Sequence, residues 1–128
     1  MIEITPIYAV PMALLMFLLW LNVVKRRGVA DVSIGHGDDK PLHVKIRQHG
    51  NFIEFAPMVL LMMLLAELRD GNATTLHVAG GFLVLSRTLH PFGLHYDRAM
   101  HVARIVGNTG SLIALFAAAG AIVATYLG

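Results

Sequence analysis

The sequence predicts an all-α membrane protein, a four-transmembrane-helix antiparallel bundle forming a single domain over residues 1–128. Three observations predict it. Of the 128 residues, 56% are hydrophobic and only 14% charged, and the mean hydropathy of +0.66 is too high for an ordinary soluble domain of this size. The apolar residues gather in four blocks, each near the roughly 20 residues that cross a bilayer core as a helix. Within those blocks there is almost no polar outer face, which a helix of a soluble bundle would need.

The first block, 4–24, predicts a helix over roughly 4–25. Only Glu3 precedes it in place of a basic n-region, and no small-residue cleavage site follows, so the segment reads as a retained helix and not a removable signal peptide. The stretch from Lys25 to Arg47 carries Gly28, Gly35, Gly37 and Pro41 and reads as a surface loop of about 15 to 20 residues, long enough to suggest a function. A second helix is expected over roughly 43–68, with Pro57 inside it, and Asp70-Gly71-Asn72 closes a hairpin onto a third, over roughly 74–91. Pro91 and Gly93 end that helix. The fourth is expected over roughly 101–127.

Charge placement predicts the topology. Lys25, Arg26, Arg27, Lys40, Lys45 and Arg47 cluster between the first two helices, and Arg98 and Arg104 between the last two, whereas the intervening turn holds only Arg69 against Glu67 and Asp70. Lys and Arg mark cytoplasmic loops, so both termini are expected outside the cytoplasm. A formal net charge of +2 placed beside membrane segments points to topology and lipid headgroups, not to a nucleic acid partner.

With no cysteine in the chain, disulfides, thiolate metal sites and a cysteine nucleophile are excluded. The seven histidines show no His-x-x-x-His or Glu-x-x-His spacing, so no metal is expected. No phosphate-binding glycine loop or nucleophile elbow occurs.

The chemistry lies in polar stripes on the apolar helices. Arg47, Asn51 and Glu54 fall within about 60° of one another on a helix, because i, i+4 and i+7 share one face. Arg104, Asn108 and Ser111 repeat that spacing on the last helix, with Gly107 and Gly110 permitting close helix approach. Arg87 and His90 lie about 60° apart at the end of the third. Ionisable groups at this depth cost about 2.5–3.5 kcal/mol each at the bilayer centre, so they face a cavity or each other. Pairing of Glu54 with Arg87 or Arg104 is the structural alternative. One carboxylate against three arginines leaves an excess of cation suited to an anionic ligand bearing carboxylates.

The segment from Lys45 to Pro57 resembles the signature of the MAPEG family, membrane-associated proteins in eicosanoid and glutathione metabolism: Arg47, Asn51, Glu54 and Pro57 match its spacing. The likeness extends to Arg26-Arg27 after the first helix, the Ile34-Gly35-His36-Gly37-Asp38 loop, Ser86 to Gly93 at the end of the third helix, and an arginine opening the fourth. It is similar to the short bacterial members. The resemblance implies a homotrimer in the bacterial inner membrane, in contact with lipid, binding glutathione as co-substrate between subunits. It implies that Arg47, Asn51 and Glu54 hold the tripeptide, that His49 serves the site of an adjacent subunit, that Arg87 and His90 form the pocket wall, and that Arg27, or Arg26, reaches in from a neighbour. Arg104 matches an arginine associated with activating the thiol. The implied reaction is conjugation of glutathione to a lipophilic electrophile, with peroxide reduction as its neighbour.

The chain departs from the family at Phe55, His90 and Leu94, where characterised transferases carry tyrosines. Two other readings stand beside the enzyme: a non-catalytic membrane module binding lipid or a partner, and a small four-helix transporter. The transporter wants a carboxylate in the first helix, which has none between Ile4 and Val24.

Overall fold

A computed structural model describes residues 1–127. It comprises α1 (Ile4–Ala30), α2 (Lys40–Glu67), α3 (Ala73–Leu89), a 3-10 turn (His90–Gly93) and α4 (Val102–Leu127). The fold is the expected all-helical four-helix bundle. Polar ties at both ends show the antiparallel order: Arg26 near the end of α1 meets Asp39 before α2, and Glu67 at the end of α2 meets the start of α1.

Two boundaries differ from expectation for local reasons. α1 continues through the basic cluster to Ala30 and stops at Asp31, which adopts a left-handed conformation and donates its N–H to Arg27 O. α2 begins earlier, because Asp39 caps it by accepting from Leu42 N at 2.6 Å and Pro41 occupies its first turn. The long loop predicted between them therefore shrinks to 31–39. Asp39-Lys40-Pro41 was the legible signal for this start.

α1, α2 and α4 are each long and apolar enough to cross a membrane. α3, with 17 residues, reaches about 25 Å at 1.5 Å per residue and gives way to the 3-10 turn at Pro91, whose ring cannot continue the helix hydrogen bonds. It packs most extensively on α4.

Interior and exterior are both apolar, as a lipid-facing bundle requires. α1 buries only Thr5, Met12 and Leu19, one stripe at heptad spacing, while Leu14, Phe17, Leu18 and Trp20 point outward. α4 presents Gly107, Gly110, Ser111, Ala114, Ala118 and Ala121 to the interior, a seam of small residues that lets backbones approach closely. Across the seam, the Ser111 hydroxyl donates to Ser86 Oγ at 3.0 Å. The core is completed by Phe52, Val59, Met63, Leu76 and Leu83.

The bundle has one basic end. Of the ten Lys and Arg residues, only Arg69 lies at the opposite end, where it donates to Thr125 Oγ1 and covers the Tyr126 ring.

Candidate ligand site at the basic end of the bundle

On α2, Arg47, Asn51 and Glu54 share a face, as their spacing demands. Arg47 Nη2 lies 3.3 Å from Glu54 Oε1, and both side chains are about half exposed, at 52% and 51%. The stripe therefore opens outward from the bundle as well as inward. Glu54 pairs with neither Arg87 nor Arg104, contrary to the structural alternative that the sequence left open.

Arg87 is buried, 1% exposed. Its Nη1 donates to Asn51 Oδ1 at 2.6 Å and to Asn51 O at 3.3 Å, and its Nη2 donates to Gly107 O at 3.0 Å. One guanidinium thus ties α2, α3 and α4 together, with its Cζ 5.2 Å from the Phe55 ring centre.

Beside this strut lies a cavity of about 460 Å³ lined by His43, Val44, Arg47, Asn51, His90, Leu94, His95, Tyr96, Arg104 and Asn108. Among the described residues no carboxylate lines its walls. His90 is buried against Gly107, where any side chain would collide with the histidine Cβ. Arg104 Nη1 donates to Ala99 O at 3.2 Å, so part of its guanidinium is anchored while the residue forms cavity wall. Gln48 Nε2 donates to Pro91 O at 2.7 Å and fixes the 3-10 turn to α2.

Of the residues singled out from sequence, Arg47, Asn51, His90 and Arg104 line this cavity. Glu54 stands next to it through Arg47. Arg87 is behind the wall, where it holds Asn51 in place of facing a ligand. His49 is half-buried and outside the lining. Arg27 spends its Nη1 on Gly35 O at 2.8 Å and Val32 O at 3.2 Å, organising the loop of its own chain. The second polar stripe divides: Arg104 and Asn108 face the cavity, but Ser111 turns to α3.

Sequence reasoning missed His43, His95 and Tyr96. His43 had a signal, since His43, Arg47 and Asn51 continue one stripe at i, i+4, i+8. His43 stacks on His36 with ring centres 4.1 Å apart, and Tyr96 meets it edge-on at 5.8 Å with Lys40 Nζ 4.8 Å from the tyrosine ring centre. Tyr96 brings an aromatic hydroxyl residue to the wall even though Leu94 occupies a family tyrosine position.

Outside the membrane-spanning segments, Asp39 anchors this end. The Arg26 guanidinium, which donates from Nε at 3.0 Å and from Nη2 at 2.5 Å, holds the Asp39 carboxyl below its ordinary value. Desolvation opposes that shift and the Leu42 N–H adds to it.

The model of the MAPEG family matches residues 5–124. The chain belongs to the MAPEG family. Among curated relatives, the inner membrane protein YecN from two Escherichia coli strains is 32% identical over 93 residues, covering 73% of this chain and 71% of the relative. No solved structure matches significantly. Membership of this family, the inner-membrane relative and the three span-length helices make it an integral membrane protein.

Proposed function

We propose that this MAPEG chain binds glutathione at the basic end of the bundle and conjugates it, through its thiol sulfur, to lipophilic electrophiles. The observation that carries the reading is the cavity walled by Arg47, Arg104, Asn51 and Asn108 with no carboxylate, which suits the carboxylates of a small peptide. Glu54 beside Arg47 offers a partner for the ligand's free amine. The half-exposed Arg47–Glu54 pair on the bundle's outer face supports a site completed by a neighbouring subunit, and hence the homotrimer that the family resemblance implies. The Lys and Arg excess supports placing this end in the cytoplasm and both termini outside it.

The chemistry follows from charge. A guanidinium at the sulfur stabilises thiolate over thiol. Arg104, tethered through Ala99 O, is the residue for that role. The thiol proton leaves to water, the sulfur lone pair forms a bond to the electrophilic carbon, and the leaving group departs with its electron pair. Lipid-dissolved electrophiles reach the sulfur between helices.

The test has two arms. Glutathione binding by detergent-purified protein should saturate at or below about millimolar, roughly −4 kcal/mol, and should be lost in Arg47→Ala and Glu54→Ala. Conjugation of an activated aryl halide should fall at least about 100-fold in kcat for Arg104→Ala, the scale of one lost electrostatic stabiliser, while glutathione affinity changes less. Phe55 and Leu94 favour the second reading, a non-catalytic binding module; binding without turnover of aryl halide or peroxide would select it. No binding by folded protein would reject the glutathione reading altogether.

A further inference from the structure

Arg87 is the fully buried arginine of the bundle, and among the described residues no carboxylate lies within ion-pair distance of it. Its Nη atoms reach neutral oxygens of Asn51 and Gly107, and its Nε has no partner. A buried guanidinium can only donate. The Asn51 atom 2.6 Å from Nη1 is therefore the amide oxygen; the nitrogen there would set donor against donor. With its oxygen turned to Arg87, Asn51 has its Nδ2 on the side away from the guanidinium, toward the cavity it lines. One Nδ2 contact, at 3.5 Å to Glu54 Oε2, is long, so the group keeps donor capacity.

We propose that Arg87 is a positioning residue that locks the Asn51 amide with its nitrogen toward the ligand, making this part of the site select a carboxylate over a carboxamide. Arg47, Asn51 and Arg104 then form a wall of donors. A carboxylate accepts from all three, whereas the N–H2 of a carboxamide set against these three side chains meets donors only. A site whose buried polar groups are matched to one ligand group discriminates strongly against an analogue that leaves them unpaired. The choice of ligand rests on the glutathione reading; the orientation of Asn51 does not.

Two measurements separate those questions. The first compares binding of glutathione and its two monoamides to wild type, R87M, R87K and N51D. Wild type is expected to prefer glutathione about tenfold or more over at least one monoamide. R87M frees the amide to turn, so that ratio should shrink at least threefold, and R87K, which still donates to the oxygen, should keep most of it. N51D places a carboxylate against Arg87 and turns an acceptor to the cavity, so the preference should collapse or invert. A ratio of affinities is unaffected by the fraction of folded protein, so a purely structural strut would leave it unchanged in R87M and R87K; an unchanged ratio in either R87M or N51D overturns the proposal. Should R87M leave no folded protein, the N51D ratio decides alone.

The second measurement needs no ligand. In protein labelled with 15N-asparagine, the Asn51 side-chain amide is one of four, with Asn22, Asn72 and Asn108. Charge donated to its oxygen raises the double-bond character of the C–N bond, so its two hydrogens should interchange more slowly than those of Asn22 and Asn72. In R87M that interchange should quicken several-fold and the signal should move, with R87K close to wild type. An Asn51 signal indifferent to R87M overturns the proposal even where glutathione fails to bind; a moved signal with no glutathione binding sustains it and rejects only the glutathione reading.

Discussion

Glu67→Ala should destabilise the protein without touching the site, and the structure allows the size to be worked out. The Glu67 carboxylate ends α2 and accepts three backbone N–H groups at the start of α1: Glu3 N at 2.5 Å and Ile4 N at 2.6 Å on Oε1, and Thr5 N at 2.8 Å on Oε2. It is a cap supplied from another helix, placing negative charge at the positive end of the α1 dipole. Removing it frees three donors. Glu3 is exposed and Ile4 half-buried, so their N–H groups can rehydrate at a cost of about 0.5–1 kcal/mol each, whereas Thr5 is buried and its orphaned N–H costs about 1–3 kcal/mol. The sum is about 2–5 kcal/mol. Glu67→Gln keeps one acceptor oxygen but sets an N–H2 against a backbone donor, and should cost about 1–2 kcal/mol. Reversible unfolding in mixed micelles measures both. Glutathione affinity should stay at the wild-type value, because the site lies at the other end of helices that are about 40 Å long at 1.5 Å per residue. A loss below about 0.5 kcal/mol for Glu67→Ala would refute the reasoning, because surface substitutions reach that much without any cap.

Gly93→Ala should fail through the backbone: its Cβ would collide with Arg104 N and sit 2.7 Å from Arg104 Cα and 2.8 Å from Ala103 C, so α4 must shift, costing about 1–3 kcal/mol or more and displacing Arg104. Gly120→Ala, with nothing within 4 Å, is the control and should gain up to about 1 kcal/mol of helix propensity. Acid should loosen the turn between α1 and α2. Because the folded pKa of Asp39 lies below its ordinary 3.8, its tie to Arg26 is complete above that value and lost as pH falls through the lower folded one; the protection of the Leu42 amide, its exchange rate taken relative to the intrinsic rate at each pH, should therefore be flat from pH 5 to 8 and fall below about pH 4. Asp39→Asn should raise exchange at pH 7 and remove the acid dependence, since the amide still caps Leu42 N but cannot titrate. Arg104→Ala, through the split between rate and affinity described above, tests the catalytic assignment.

The helical stripe of Arg47, Asn51 and Glu54 was legible because i, i+4 and i+7 coincide on any helix, whatever surrounds it. So was His90 as a neighbour of the site, by its place at the end of α3. Arg87, expected with His90 in the pocket wall, stands behind the cavity lining, for it shares with His90 a face that only packing divides between cavity and interior. Glu67 looked like a turn residue, since nothing near it in the chain announces a partner 64 positions away. Tyr96 sits in a segment without periodicity, where sequence spacing carries no orientation.

By itself, then, the sequence determined the membrane setting, the four helices, the basic end and one polar stripe, because hydrophobic transfer and helical periodicity act within a segment. Only the tertiary structure decided that Arg87 holds Asn51, that Ser111 meets Ser86, that Glu67 caps α1 and that Tyr96 and His43 join the wall. Each of these depends on how a helix is rotated about its own axis and which neighbour it meets, a choice made by packing of the whole bundle and written in no single segment.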